Sequence, residues 1–376
     1  MKKMKFIGFG ALILLWAALS CTAWLCPAEE TSESERRQLA QFPEFSITTV
    51  LDGKFMTDFE DYSLDQFPLR DSFRQLKALF HYKVLGQKDN NGIYLADTHI
   101  VKQEYPLDRA GILRAASRFN YLREKYLKES AGNIVMAVVP DKGVYLGDAS
   151  GHLQLNVNAM MQLLEEQMPW ANHVNLTEIL SASDYYRTDT HWKQENLFDV
   201  ADALCVALEA EKTNPDAYTA TKLERPFYGV YYGQAALKLE ADAMCILESD
   251  ILSGCTTSEG TVDMRTGEVV FEKLYDGVYD WGKFDGKDMY EGYLSGTQGI
   301  LRVDNPNAAT ERELVMIRDS FGSSIAPLLM QQYRSVTLVD IRAVQIDLLG
   351  RFIDFQDQDV LFLFSSLVLN NSSTLK

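Results

Sequence analysis

The stretch ELVMIRDSFGSSIAPLLMQQY, residues 313–333, decides how this sequence folds. Its first five residues, ELVMI, form a short, mostly apolar run, as expected for a strand buried on both faces. RDSFG then supplies a tight polar turn, and SSIAPLLMQQY continues as a helix. Strand, turn and helix in that order mark one unit of a parallel α/β sheet. In such sheets reactive groups gather at the carboxyl ends of the strands. Ser320 occupies that place, as the serine of a nucleophile elbow does. The competing reading makes Asp319 or Ser320 a cap for the helix that follows.

Working outward, the same alternation recurs. NIVMAVVP (133–140), SVTLVDI (335–341) and DVLFLF (359–364) read as further buried strands, and HVNL (173–176) as a short one. Helical patterning falls near 107–128, over 152–168 and over 193–210. Residues 222–308 break this rhythm with dense tyrosine, glycine and turn signals. Arg265-Thr266-Gly267 between two alternating runs predicts a hairpin there. The fold class expected is α/β, a three-layer α/β/α domain over 64–376 with a β-rich insertion at about 222–308.

The tetrapeptide RDSF also occurs at Arg70–Phe73. No apolar run precedes this copy. Leu69, Phe73, Leu76, Phe80 and Val84 instead repeat at helical spacing, so Ser72 reads as the first turn of an amphipathic helix. Ser320 is therefore the candidate nucleophile. It needs a base, and the base an orienting acceptor. Of five histidines, His191 in YYRTDTHWKQEN stands two residues after Asp189. In an extended segment both would share one face, and Trp192 would shield their bond from water. Without further ligands no metal site is expected.

Other features bound the answer. The net charge of −17 argues against nucleic acid as a partner. Lys2, Lys3 and Lys5 precede FIGFGALILLWAALSCTAWLC, uncharged from Phe6 to Cys26, long enough for a membrane anchor. The basic flank predicts an amino end inside and a body outside the cytoplasm. Two rival readings also export the body: a lipoprotein signal at Cys21, or cleavage near Glu29. Residues 1–28 are thus a signal anchor or signal peptide, and 29–63 a linker and entry segment. Cys245 and Cys255 are spaced to close a small loop, but three cysteines in the body make no disulfide framework.

TDTHW followed late by RDSFG resembles the DHHW-motif proteins. These are similar to the SGNH-hydrolase-like proteins that O-acetylate bacterial exopolysaccharides such as alginate. DQFPLRDSFRQLK, NGIYLAD, VPDKGVY, FYGVYY, VDIR and DVLFLF also resemble family segments, in the same order. The resemblance implies an SGNH-like fold with Ser320 as nucleophile, His191 as base and Asp189 as its orienter. Thr190 stands at the second letter of the name motif, as in the acetylation branch. The usual SGNH glycine and asparagine blocks are not identifiable. The activity implied is extracytoplasmic O-acetyl transfer, or ester hydrolysis, on an envelope or secreted polysaccharide. No soluble cofactor is implied, and the acyl donor would be an integral-membrane O-acyltransferase. Arg342, Trp192 and Arg318 are the candidate substrate-binding residues. Tyr228, Tyr231, Tyr232, Tyr290 and Tyr293 would floor a sugar groove or pack the insertion. The alternative is a non-catalytic envelope protein that keeps the fold and binds glycan or an export partner.

Overall fold

The computed structural model describes residues 2–376 except Glu33, Ser130, Ala131 and Met264, and leaves aside the side chains of residues 2–7 and Trp24. Contacts divide the chain into two units, residues 1–91 with 232–239, and residues 92–231 with 240–376. The boundary expected at residue 64 thus falls after residue 91.

In the first unit, Lys2–Leu25 forms a 24-residue helix. Among the described residues no helix is long and apolar enough to cross a membrane. The expected basic flank of Lys2, Lys3 and Lys5 lies outside the described side chains, so the anchor stays a proposal. Residues 29–63 are not a bare linker. Thr31–Ser32 pairs antiparallel with Arg37–Gln38, and Asp65 accepts from the Arg37 guanidinium and the Ala40 N–H. The helix expected from the spacing of Leu69 to Val84 is present as Arg70–Leu79 running on into the π-helical turn Phe80–Val84, and a separate helix precedes it. Lys54–Asp65 ends before Pro68, and Arg70–Leu79 starts from Leu69 at φ 59°. Proline disfavours a helical conformation in the residue before it, which explains the break.

The second unit is built on one eight-stranded sheet. Its strands are numbered here in chain order: β1 Ile134–Val139, β2 Asn172–Asn175, β3 Thr256–Val262 and β4 Val269–Asp276. β5 Ile300–Asp304, β6 Glu313–Arg318, β7 Ser335–Val339 and β8 Asp359–Ser365 complete it. Across the sheet the order is β4-β3-β5-β7-β6-β8-β1-β2. The last five run parallel, and β3, β4 and β5 add antiparallel at one edge. Segment 222–308 thus extends the main sheet with three strands. It also carries short helices, among them Asp250–Ser253 and Trp281–Phe284. Gly267, at φ 73°, serves the β3–β4 hairpin turn.

Alternate side chains of the central strands go to opposite faces, as the pleat requires. Leu314, Met316, Leu361 and Leu363 pack with Val200, Ala201 and Leu204 of the helix Phe198–Ala207. Val315, Ile317, Phe362 and Phe364 pack with Ile112 and Phe119 of the helix Arg109–Leu122. This makes a mixed α/β domain with helices on both faces of a mostly parallel sheet. Cys245 and Cys255 are both free thiols rather than a closed loop.

Candidate active site

β6 sits in the middle of the sheet and is buried from Leu314 to Arg318. At its carboxyl end Asp319-Ser320-Phe321 makes the turn, and the helix Gly322–Leu329 leaves it. Asp319 ties this turn to its neighbour: Oδ2 accepts the Ser365 N–H at the end of β8 (2.7 Å). Its Oδ1 accepts the Phe321 N–H at 3.1 Å, an Asx turn ahead of the helix, whose N-cap position is Phe321 and carries no side-chain capping bond. Gly322 has a packing reason. A Cβ there would stand 2.8 Å from Cβ of Arg318. Ser320 is left at the rim, partly exposed.

His191 Nε2 lies 2.7 Å from Ser320 Oγ, and His191 Nδ1 lies 2.6 Å from Asp189 Oδ1. With Nδ1–H donated to the carboxylate, Nε2 is free to accept the serine proton. The local geometry differs from the sequence expectation. Residues 187–191 are not extended but form a bend between Tyr185 and Trp192, which bridge antiparallel. Asp189 and His191 meet because the carboxylate also accepts the His191 backbone N–H at 3.0 Å. That is an Asx-type turn, which spans two residues as a pleat does. Thr190 Oγ1 accepts the Tyr231 hydroxyl at 3.1 Å.

Burial pushes the Asp189 carboxyl up, but the neighbouring His191 and the N–H groups of His191 and Val230 outweigh it. Its pKa is held well below the usual carboxylate range. Val230 donates to Oδ2 at 2.8 Å. Gly229 packs its backbone directly on Asp189, where a Cβ would come within 2.2 Å of the Asp189 Cβ. Asp242 accepts the N–H groups of Arg187 and Thr188 and the Thr188 hydroxyl, at 2.9, 2.8 and 2.6 Å. Beneath the bend lies Lys142, fully buried just after β1. Its ammonium donates to the carbonyls of Tyr186, Arg187 and Asp189 at 2.8, 3.2 and 2.6 Å. Burial lowers its pKa from 10.5 to about 8, against the pull of Asp141, Asp189 and Asp242.

Lys142, Gly229, Val230 and Asp242 are site residues that the sequence patterning does not single out. The signal for the first three was present, because VPDKGVY and FYGVYY contain them. What was missing was the knowledge that both segments fold onto TDTHW.

The remaining candidates are placed differently. Trp192 and Arg318 are completely buried. Trp192 Nε1 donates to Ser324 Oγ at 2.8 Å, beneath the dyad, so it supports the site rather than facing substrate. Arg318 donates to the carbonyls of Gly296 and Asp319 at 3.1 and 3.3 Å, and burial lowers its pKa. Arg342 pairs with the buried Asp340 through Nε and Nη2, at 2.9 and 2.6 Å. Its side chain keeps a partly exposed face at the carboxyl end of β7. Tyr231, Tyr290 and Tyr293 are buried, not a groove floor, while Tyr228 is exposed. Tyr290 stacks flat on His191, centroids 3.7 Å apart, and its hydroxyl lies 2.7 Å from Ser324 Oγ. Tyr232 belongs to the first unit. Among the described residues no group of three or more His, Cys, Asp or Glu side chains is arranged for a metal.

Residues 176–339 match the DHHW protein family, a span holding both the Asp189–His191 bend and Ser320. The likeness is to the DHHW family. No curated protein matches the sequence. A DHHW family protein from Eubacterium siraeum aligns at 19% identity over 76% of this chain and 95% of its own, with a TM-score of 0.55. PatB1 of Bacillus cereus, solved with a sulfonyl adduct, aligns at 18% identity over 74% of this chain and 95% of its own, TM-score 0.56. The O-acetyltransferase domain of Pseudomonas putida AlgJ aligns at 12% over 74% and 92%, TM-score 0.41, too loose to carry an argument. At these identities the DHHW-family and PatB1 structures share the fold.

Proposed function

We propose that this protein is a serine-dependent O-acyltransferase or esterase of the cell envelope, acting on a polysaccharide, with Ser320, His191 and Asp189 as its catalytic residues. The observation that carries the proposal is the unbroken line Ser320–His191–Asp189, with bonds of 2.7 and 2.6 Å. Such a line lets the imidazole take the hydroxyl proton while the carboxylate stabilises the imidazolium formed. Ser320 Oγ attacks the acyl carbonyl as His191 Nε2 takes its proton. The tetrahedral intermediate then expels the donor's oxygen, which receives that proton from His191. An acyl-Ser320 ester remains. A sugar hydroxyl next gives its proton to His191 and attacks the ester, restoring Ser320. Water in place of the sugar makes the reaction hydrolysis.

An acetyl group as cargo and a glycan as acceptor follow from the family resemblance, as does a membrane-bound O-acyltransferase as donor. An extracytoplasmic body held by the helix Lys2–Leu25 fits that donor. The helix presents Leu12, Ile13, Leu14, Leu15 and Trp16 outward, as lipid contact would require. The full chain in detergent should hydrolyse 4-nitrophenyl acetate and, when quenched, carry one acetyl group on the peptide containing Ser320. A sulfonyl fluoride should label the same serine. Activity unchanged in Ser320→Ala would overturn the catalytic reading in favour of a glycan-binding protein. Protease added to sealed spheroplasts should digest the body, and a protected body would contradict the envelope function.

A further inference from the structure

A cleft of about 690 Å³ opens on the second unit, and neither Ser320 nor His191 lines it. Its floor is apolar, with Leu252 and Val278 buried at 4% and 1% exposure. On its rim stands Trp281, whose side chain remains 58% exposed. That exposure is fixed by packing. The indole abuts Tyr279 and Phe284 at centroid distances of 6.5 and 5.7 Å. Tyr279 in turn is pinned, its hydroxyl accepting the Leu247 N–H at 3.0 Å. A large aromatic ring braced on one side and open on the other is an amphipathic platform for a ligand.

Charge around the platform narrows the ligand. Glu248, Asp250 and Asp276 also line the cleft. Glu248 accepts the Thr221 hydroxyl, and Asp276 pairs with exposed Lys273 at 2.7 Å. The Asp250 carboxylate has no hydrogen bond or ion pair among the described residues. A pyranose offers an apolar C–H face for the indole and hydroxyls for carboxylate acceptors. A protonated amino group adds attraction to the ring face and to the acidic rim. A uronate would meet like charge, here and from the chain's net −17.

We propose that the Trp281 cleft is a glycan subsite holding an amino-sugar unit of the polysaccharide. This deepens the function proposed above and rests on it for the claim that the bound glycan is the acyl acceptor. The test measures binding by calorimetry on the full-length Ser320→Ala chain in detergent, which removes turnover. A glucosamine tetramer should bind, and Trp281→Ala should weaken it by about tenfold or more. Trp281→Phe, which keeps a ring, should retain most of the affinity. An N-acetylglucosamine tetramer and a mannuronate tetramer should each bind at least about tenfold more weakly. Equal affinity in Trp281→Ala and its parent would overturn the subsite, as would a uronate or N-acetylated tetramer binding as tightly as the free amine. With Ser320 intact, the parent chain should hydrolyse 4-nitrophenyl acetate. Absence of that turnover in the parent would count against the catalytic reading, while the binding result would still decide the subsite.

Discussion

The same four residues, RDSF, occur in both units and come to opposite ends. In the first unit Arg70 reaches Glu35 and Asp65 in a partly exposed ion-pair network, and Asp71, Ser72 and Phe73 are all exposed. They form the first turn of the helix Arg70–Leu79. In the second unit Arg318, Asp319 and Phe321 are buried at 0, 0 and 2% exposure, and only Ser320 reaches the rim. The difference lies in what precedes each copy. A buried parallel strand delivers Ser320 to the edge where β1, β6 and β8 end, with Ser365 as the last residue of β8 and Lys142 and Asp319 just past the ends of β1 and β6. Ser72 has a proline and a left-handed leucine before it, and no strand. A short motif acquires chemistry from the element that presents it.

The largest expected effect tests that contrast directly. Ser320→Ala should cut turnover of 4-nitrophenyl acetate by about a thousandfold or more, whereas Ser72→Ala should leave it within twofold of the parent, about the scatter of an exposed substitution. Steady-state kinetics of both variants would check this, and comparable losses would erase the distinction. Next, Asp189→Asn should lower kcat by about 10²–10⁴-fold with a smaller change in KM. The amide no longer enforces the tautomer that leaves Nε2 free to accept. A full rate in Asp189→Asn would mean that His191 is oriented from elsewhere.

Much of this was legible in the sequence, and the reasons can be given for particular residues. Alternation of strand and helix identified the parallel core because ELVMI and DVLFLF are too apolar for a strand exposed on one face. Asp189 and His191 were legible because two residues is a short enough gap for several backbone shapes to bring their side chains together. The assumed shape was wrong and the pair survived it. Burial of Trp192 and Arg318 was not legible. Nothing local tells that a polar or amphipathic side chain points inward, since that depends on other segments: Gly296, which accepts from Arg318, lies 22 residues back. Ser324, which receives the Trp192 indole N–H, lies 132 residues further on. The strand character of 256–304 was visible, but its joining the main sheet was not, because pairing partners leave no mark on a single strand.

A smaller effect should come from the glycines. Gly229→Ala would drive a Cβ into Asp189 and should lower kcat together with stability, costing about 1–3 kcal/mol. Gly267→Ala has open space around it and only its φ of 73° to accommodate. It should cost about 1 kcal/mol and leave kcat unchanged. Thermal melts beside ester kinetics would separate the two, and an active Gly229→Ala enzyme would show that the bend tolerates displacement.

The smallest effect is one of pH, and its sign follows from Lys142. An ammonium has three N–H donors for the three carbonyls it faces, whereas the neutral amine has two. Its folded pKa of about 8 lies below the 10.5 of the unfolded chain. The full set of donors is therefore present below about pH 8 and is lost as pH rises through that value. Activity should show an alkaline limb near pH 8, as the bend carrying Asp189 and His191 loses one of its anchors. Stability should move the other way. The folded state releases this proton before the unfolded chain does, so this group makes folding more favourable between about pH 8 and 10. Above about pH 10 the buried tyrosines, whose pKa values are raised by burial, reverse that trend. Lys142→Arg, charged throughout, should shift the limb upward if it folds. Lys142→Met should lower kcat at every pH with little change in KM for the small ester. Melting temperature and kcat recorded together across pH 7–10 provide the check. A parallel fall of both would mean simple alkaline unfolding and would remove Lys142 from the positioning of the catalytic bend.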